Sequence, residues 1–181
     1  MNVVVWIVEG TWHSCIDAAE QMAPADADIA LVYVVDEEIS RVTHGAFAGL
    51  MGRGGHRDRR DPGVQADTIT TEAGRELLAA AAERLARPCT SQLRHGRVER
   101  EVVAASDGAD LLIVARDGDR RRLGPKSLGR ASRFVVDHAP CAVLLVWPGA
   151  SPDMATIPPP PPGPPPLGHG PPPGPPPPPH H

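Results

Sequence analysis

Apolar residues in this chain fall into short unbroken runs, separated by stretches where they recur every three or four positions. Asn2–Val8 (NVVVWIV), Ile29–Val35 (IALVYVV), Leu111–Ala115 (LLIVA) and Ala142–Trp147 (AVLLVW) are such runs, rich in β-branched side chains. Runs this short without polar alternation predict strands buried on both faces, as parallel sheets require. Thr90–Leu93 is a weaker fifth candidate. Between them, Trp12, Cys15, Ile16, Ala19 and Met22 share one helical face, with Thr11 as N-cap and Pro24 as stop. Leu77, Leu78, Ala81 and Leu85 mark a helix over Thr71–Ala86, closed by Pro88. Val98–Ala105 reads as a short helix ended by Asp107 and Gly108. Leu128, Ala131, Phe134, Val135 and His138 form the stripe of a last helix, stopped by Pro140. The order is βα, β, loop, αβ, αβ, αβ. It predicts an α/β, Rossmann-like, open parallel five-stranded sheet with helices on both faces.

Two segments lie outside this alternation. Residues 36–67 contain GRGG (Gly52–Gly55) and HRDRRDPG (His56–Gly63), too polar to bury a face, and are expected to be a variable mobile loop. After residue 148 the composition turns to proline, dividing the chain into a domain at 1–148 and a disordered proline-rich tail at 149–181. Pro158–Pro179 is expected to populate polyproline II. No Arg or Lys flanks its PxxP runs and no PPxY occurs, so the groups that give SH3 or WW ligands their specificity are missing from the local sequence. The tail is either an inert spacer or a segment for a protein partner. His169, His180 and His181 lie on this floppy stretch, and no metal site is expected there.

About 150 foldable residues suffice for one core. No run of roughly twenty apolar residues occurs, and Glu9 interrupts the first apolar stretch, so neither membrane insertion nor secretion is expected. Cys15, Cys89 and Cys141 sit singly, which suits a reducing cytoplasm and buried thiols better than disulfides or zinc. A net charge of −4 argues against a general nucleic-acid binder. The charge is unevenly spread. From Arg116 to Arg133 seven basic residues face only Asp117 and Asp119, a local +5 that leaves −9 on the remainder.

Ligands of open parallel sheets sit at the carboxyl ends of the strands. That selects Glu9, Gly10 and Thr11, the turn after Val35, and the stretch from Ala115 to Ser132. The basic island falls in the last, ahead of a helix N-terminus whose free amides favour an anion. It reads either as a phosphate site or as a solvated arginine-rich loop. Other chemistries lack their parts. GxGxxG is absent after the first strand, and GDRRRLGPKS (Gly118–Ser127) misses a P-loop through its spacing and through Pro125, which lacks an N–H. No GxSxG elbow occurs, and His138 suits a helix C-terminus without any catalytic task. No enzyme is expected.

Residues 108–114 (GADLLIV), Gly118 and residues 129–146 (GRASRFVVDHAPCAVLLV) closely resemble the C-terminal signature of the universal stress proteins. Val3–Thr11 is similar to that family's opening strand and turn. The resemblance covers residues 1–148 apart from 36–67, and implies the adenine nucleotide alpha-hydrolase-like form of the fold. It implies a homodimer paired through the last strand, and ATP held by a G-x2-G-x9-G-[ST] cradle with a ribose-binding carboxylate after the first strand. Carried over by position, the implied site is Glu9, Gly10, Thr11, Val34, Ala115, Arg116, Gly118, Gly129, Arg130, Ala131 and Ser132. Ala115 stands where the cradle has its first glycine, and Arg130 where it has a hydroxyl. Ten residues rather than nine separate Gly118 from Gly129. Two functions follow: a stress-response module binding an adenine nucleotide or another phosphate-bearing ligand, or a nucleotide-free dimeric scaffold presenting its loop or tail to a partner.

Overall fold

In the computed structural model, which describes residues 1–37 and 62–159, the three inner strands of the sheet each serve two cores at once. Strand β1 (Asn2–Trp6) turns Val3 and Val5 to one face of the sheet, and Val4 and Trp6 to the other. This is the two-residue period of an extended chain. β2 (Asp28–Asp36) divides Leu31 from Val32 and Val34 in the same way, and β4 (Leu111–Ala115) divides Ile113 and Ala115 from Leu112 and Val114. With β3 (Thr90–Gly96) and β5 (Ala142–Val146) they form one sheet of order β3-β2-β1-β4-β5 with every pairing parallel. At the centre, Val4 lies beside Ala30 on one side and Leu112 on the other.

Helices α1 (Trp12–Met22) and α2 (Pro62–Leu85) cover one face through Cys15, Ile16, Ala19, Leu78, Ala81 and Leu85. Helices α3 (Val98–Ala105) and α4 (Arg130–His138) cover the other through Val102 and Val135. The expected α/β architecture is therefore the one observed. None of the described helices is long and apolar enough to cross a membrane.

Four details depart from the sequence reading. α2 begins at Pro62, well ahead of Thr71. A proline opens a helix readily because its missing N–H would be unbonded there in any case. The segment 36–67 is thus flanked by regular structure, with Asp36 closing β2 and residues 62–67 opening α2; residues 38–61 lie outside the described part. Met22 is 62% exposed, and Ala23, one residue past α1, tucks into the core instead. Thr11 precedes α1, yet its hydroxyl bonds back to the Val8 carbonyl at 3.3 Å rather than capping the helix.

The last difference concerns the start of the tail. Residues 149–159 carry a 3₁₀ turn at Met154–Thr156, capped by Asp153, whose carboxylate accepts the Ala155 N–H at 2.7 Å. Thr156 Oγ1 donates to the Asp153 carbonyl at 2.6 Å and accepts the Leu123 N–H at 3.0 Å. This segment is a strap fastened to the basic loop. Residues 160–181 lie outside the described part.

Candidate functional site

The strand order reverses beside β1, and a cleft of about 420 Å³ opens at the carboxyl ends of β1 and β2. Trp6, Ile7, Val8, Tyr33, Val34 and Val98 line it, together with Glu9, Asp36, Arg97, Glu99, Asp117, Arg130 and Ala131. Four carboxylates thus face two guanidiniums. One of the two is engaged already: Arg97 pairs with Glu99 at 2.9 Å. Burial raises the Tyr33 phenol above its ordinary pKa, and the charge of Glu9 raises it further. Tyr33 therefore faces the cleft as a neutral O–H. The charge balance of the cleft favours neutral or cationic guests over a polyphosphate.

Beside the cleft, residues 116–129 fold on themselves. The Gly118 N–H donates to the Ser127 carbonyl at 3.0 Å, and the Asp119 N–H to that of Lys126 at 2.8 Å, a two-rung hairpin ladder. The Asp119 carboxylate takes the Arg121 amide at 3.0 Å and the Arg122 Nε at 2.9 Å. Both bonds hold its pKa below the ordinary value, the Arg121 amide contributing most. The Ser127 and Leu128 amides turn onto the Gly124 and Pro125 carbonyls. Arg116 donates to the Ser127 hydroxyl and lies 4.7 Å from the centre of the Trp147 ring, a cation–π contact. Arg133 bonds the Pro125 carbonyl.

One bond decides the chemistry of this loop. The Gly129 N–H, which precedes α4, donates to Asp117 Oδ1 at 2.7 Å. A helix N-terminus is an anion site, and here the protein supplies the anion. The space is filled as well as the bond: a Cβ at Gly129 would meet that carboxylate at 2.7 Å. At Gly118 a Cβ would run into the Lys126 carbonyl, so both glycines serve close approach of the chain to itself.

The residues that build this sheet and loop match the universal stress protein family model over 16–146. The chain belongs to the universal stress protein family. A search of curated protein sequences found no match. Among solved structures, the hypothetical protein MJ0577 superposes with a TM-score of 0.58 at 17% identity, over 83% of this chain and 97% of that one. A universal stress protein in complex with cAMP gives 0.54 at 18% identity, over 82% and 98% of the two chains. A family member from Arabidopsis thaliana with AMP bound gives 0.54 at 15% identity, over 83% and 93%. At such identities the likeness establishes the shared fold.

Within that fold the implied site residues divide into two groups. Glu9, Val34, Arg130 and Ala131 meet in the cleft. Gly10, Thr11, Ala115, Arg116, Gly118, Gly129 and Ser132 are not among its lining residues. Ala115 and Thr11 are buried, and Ser132 is buried in the first turn of α4. Arg116 is committed to Ser127 and Trp147. Five further polar residues line the cleft: Tyr33, Arg97 and Glu99 lie outside the stretches that the sequence selects, whereas Asp36 and Asp117 lie within them without being named for the site. For Asp117 a signal existed, since it is a carboxylate just after β4 in the stretch where the family places phosphate-binding glycines. Among the described residues, no group of three or more His, Cys, Asp or Glu is arranged to hold a metal.

Proposed function

We propose that this universal stress protein is a non-catalytic module that works without bound ATP, dimerises through β5 and presents its basic loop and tail to a protein partner. The observation that carries this reading is the Asp117 carboxylate on the Gly129 amide at 2.7 Å. A phosphate aimed at that amide meets a like charge a few ångströms away. Such a pair repels by about 1–4 kcal/mol at 4 Å, depending on solvent access. A hydrogen bond to a charged group returns only about 1.5–3 kcal/mol. Guanidiniums offset the loss only in part, because Arg116 and Arg133 are held by the loop and Arg97 by Glu99, which leaves Arg130 alone against the four carboxylates of the cleft.

Calorimetric titration of the full chain with ATP tests the reading. The expected result is no binding tighter than about 1 mM, equivalent to about 4 kcal/mol. Saturable binding in the micromolar range sinks it. Replacing Asp117 by alanine exposes the amide and removes a negative charge, so any ATP affinity should rise in that variant.

A second reading is favoured by Glu9 standing beside Val34 in the cleft, where the family resemblance implies contacts to a nucleoside. A nucleotide with one phosphate, as in the relatives carrying AMP and cAMP, presents less charge to the four carboxylates. Binding of AMP but not ATP in the same titration would support this reading over the first.

A further inference from the structure

The proline tail lacks a basic flank in sequence, but the fold supplies one in space, from the arginine loop. Leu123 is bound to Thr156, and a Cβ at Gly124 would lie 3.8 Å from Pro158 Cδ. The proline run therefore starts against the loop whose tip carries Arg120, Arg121 and Arg122. Among the described residues, the Arg120 and Arg121 side chains form no hydrogen bond or ion pair, Arg121 acting on Asp119 only through its charge, and both are exposed. Just ahead of the prolines, the strap exposes Met154 (72%) and Ile157 (50%), large apolar side chains that nothing covers among the described residues.

We propose that the loop tip, the strap and the first prolines form one composite docking surface for a protein module with an aromatic proline-reading groove rimmed by carboxylates, the chemistry of SH3-type domains. It rests on the partner-presenting part of the function proposed above. Polyproline segments dock such grooves with little entropy to lose, and specificity comes from a flanking cation that meets an acidic rim. Here that cation is presented by a loop already fixed by its own backbone bonds, so little further ordering is needed on binding. Charge complementarity selects the partner. The exposed arginines of the loop tip seek an acidic surface, and the apolar strap with its prolines suits a protein groove better than a nucleic-acid backbone.

Purified SH3 domains with two or more carboxylates on the groove rim are the probe, titrated with the full chain and with a synthetic peptide of residues 158–181. At least one domain should bind the full chain about tenfold more tightly than the peptide, the advantage expected from one added complementary charge contact of about 1.4 kcal/mol. Arg120→Ala/Arg121→Ala should return affinity to the peptide level at an unchanged Tm, as should 0.5 M NaCl. Thr156→Val, which releases the strap from Leu123 and keeps the arginines, should also lose most of the advantage and serves if the double variant does not fold. Equal affinity of full chain, variants and peptide overturns the proposal. So does the absence of any binding domain, or preferential binding of a single-stranded oligonucleotide by the arginine loop. Nucleotide titration is independent of these outcomes, so the two readings fail separately.

Discussion

Replacing Gly74 by alanine in an exposed helix would ordinarily stabilise it by about 0.5–1 kcal/mol. Here the opposite is expected. A Cβ at Gly74 falls 2.6 Å from Tyr33 Cε1 and 2.9 Å from a Leu93 methyl, and a tyrosine ring on a central strand has little room to yield. Overpacking of this kind costs about 1–3 kcal/mol, measurable as a lowered urea midpoint at unchanged slope. Cys15 illustrates burial acting on chemistry rather than packing. Desolvation pushes its thiol up to about 12, against a smaller lowering from a hydrogen bond with the Ala115 backbone. At pH 8 iodoacetamide should leave Cys15 unmodified in the native protein and alkylate it in urea; mass spectrometry of the digested protein distinguishes the two. Asp117→Ala should cost about 1 kcal/mol in the same urea titration, as the loss of a helix-capping acceptor does. Under the proposed function, a single carboxylate would contribute both to helix stability and to the exclusion of phosphate.

At the scale of elements, the loop between β4 and α4 and the strap after β5 behave as one unit. Gly118, Asp119, Leu123, Ser127, Leu128 and Gly129 all direct their amides to protein acceptors. A loop of that kind displays side chains outward and offers no concave backbone to a ligand. Its pH response follows from Asp119. Because the folded pKa is depressed, the stabilising bonds to the Arg121 amide and Arg122 are complete above the ordinary carboxylate value, and they fade as pH falls through the lowered one. Hydrogen exchange at the Arg121 amide should therefore accelerate, relative to the amides of β1, as acid titrates this group. Exchange that keeps a constant ratio to the β1 amides across the acid range would contradict the assignment.

For the whole molecule, β5 is an edge strand of apolar residues, only partly covered, with Val143 and Leu145 packed inward on one face and Leu144 and Val146 on the other. An uncovered apolar edge invites pairing. Under the dimer proposal, sedimentation velocity should give a dimer at micromolar concentration, and Ala142→Lys, at the exposed first position of this edge, should shift it toward monomer without unfolding it. A monomer at every concentration would remove the dimer from the proposal and leave the loop and strap as they are.

The apolar runs defined β1, β2, β4 and β5, because a strand packed on both faces is continuous in sequence and can be read there directly, whereas the largely polar β3 was legible only over Thr90–Leu93. Periodicity likewise located α1, α3 and α4, and the family signature gave the identity of the domain. Its weak points were local. The beginning of α2 was hidden in a charged stretch, since a helix start opened by proline carries no apolar stripe. The state of the anion site was hidden more deeply. Whether Gly129 meets a ligand or Asp117, and whether Pro158 starts alone or against arginines, depends on residues 12 and 34 positions apart in the chain being brought into contact. Such contacts arise from loop closure rather than from pattern, and the three-dimensional fold alone decided them.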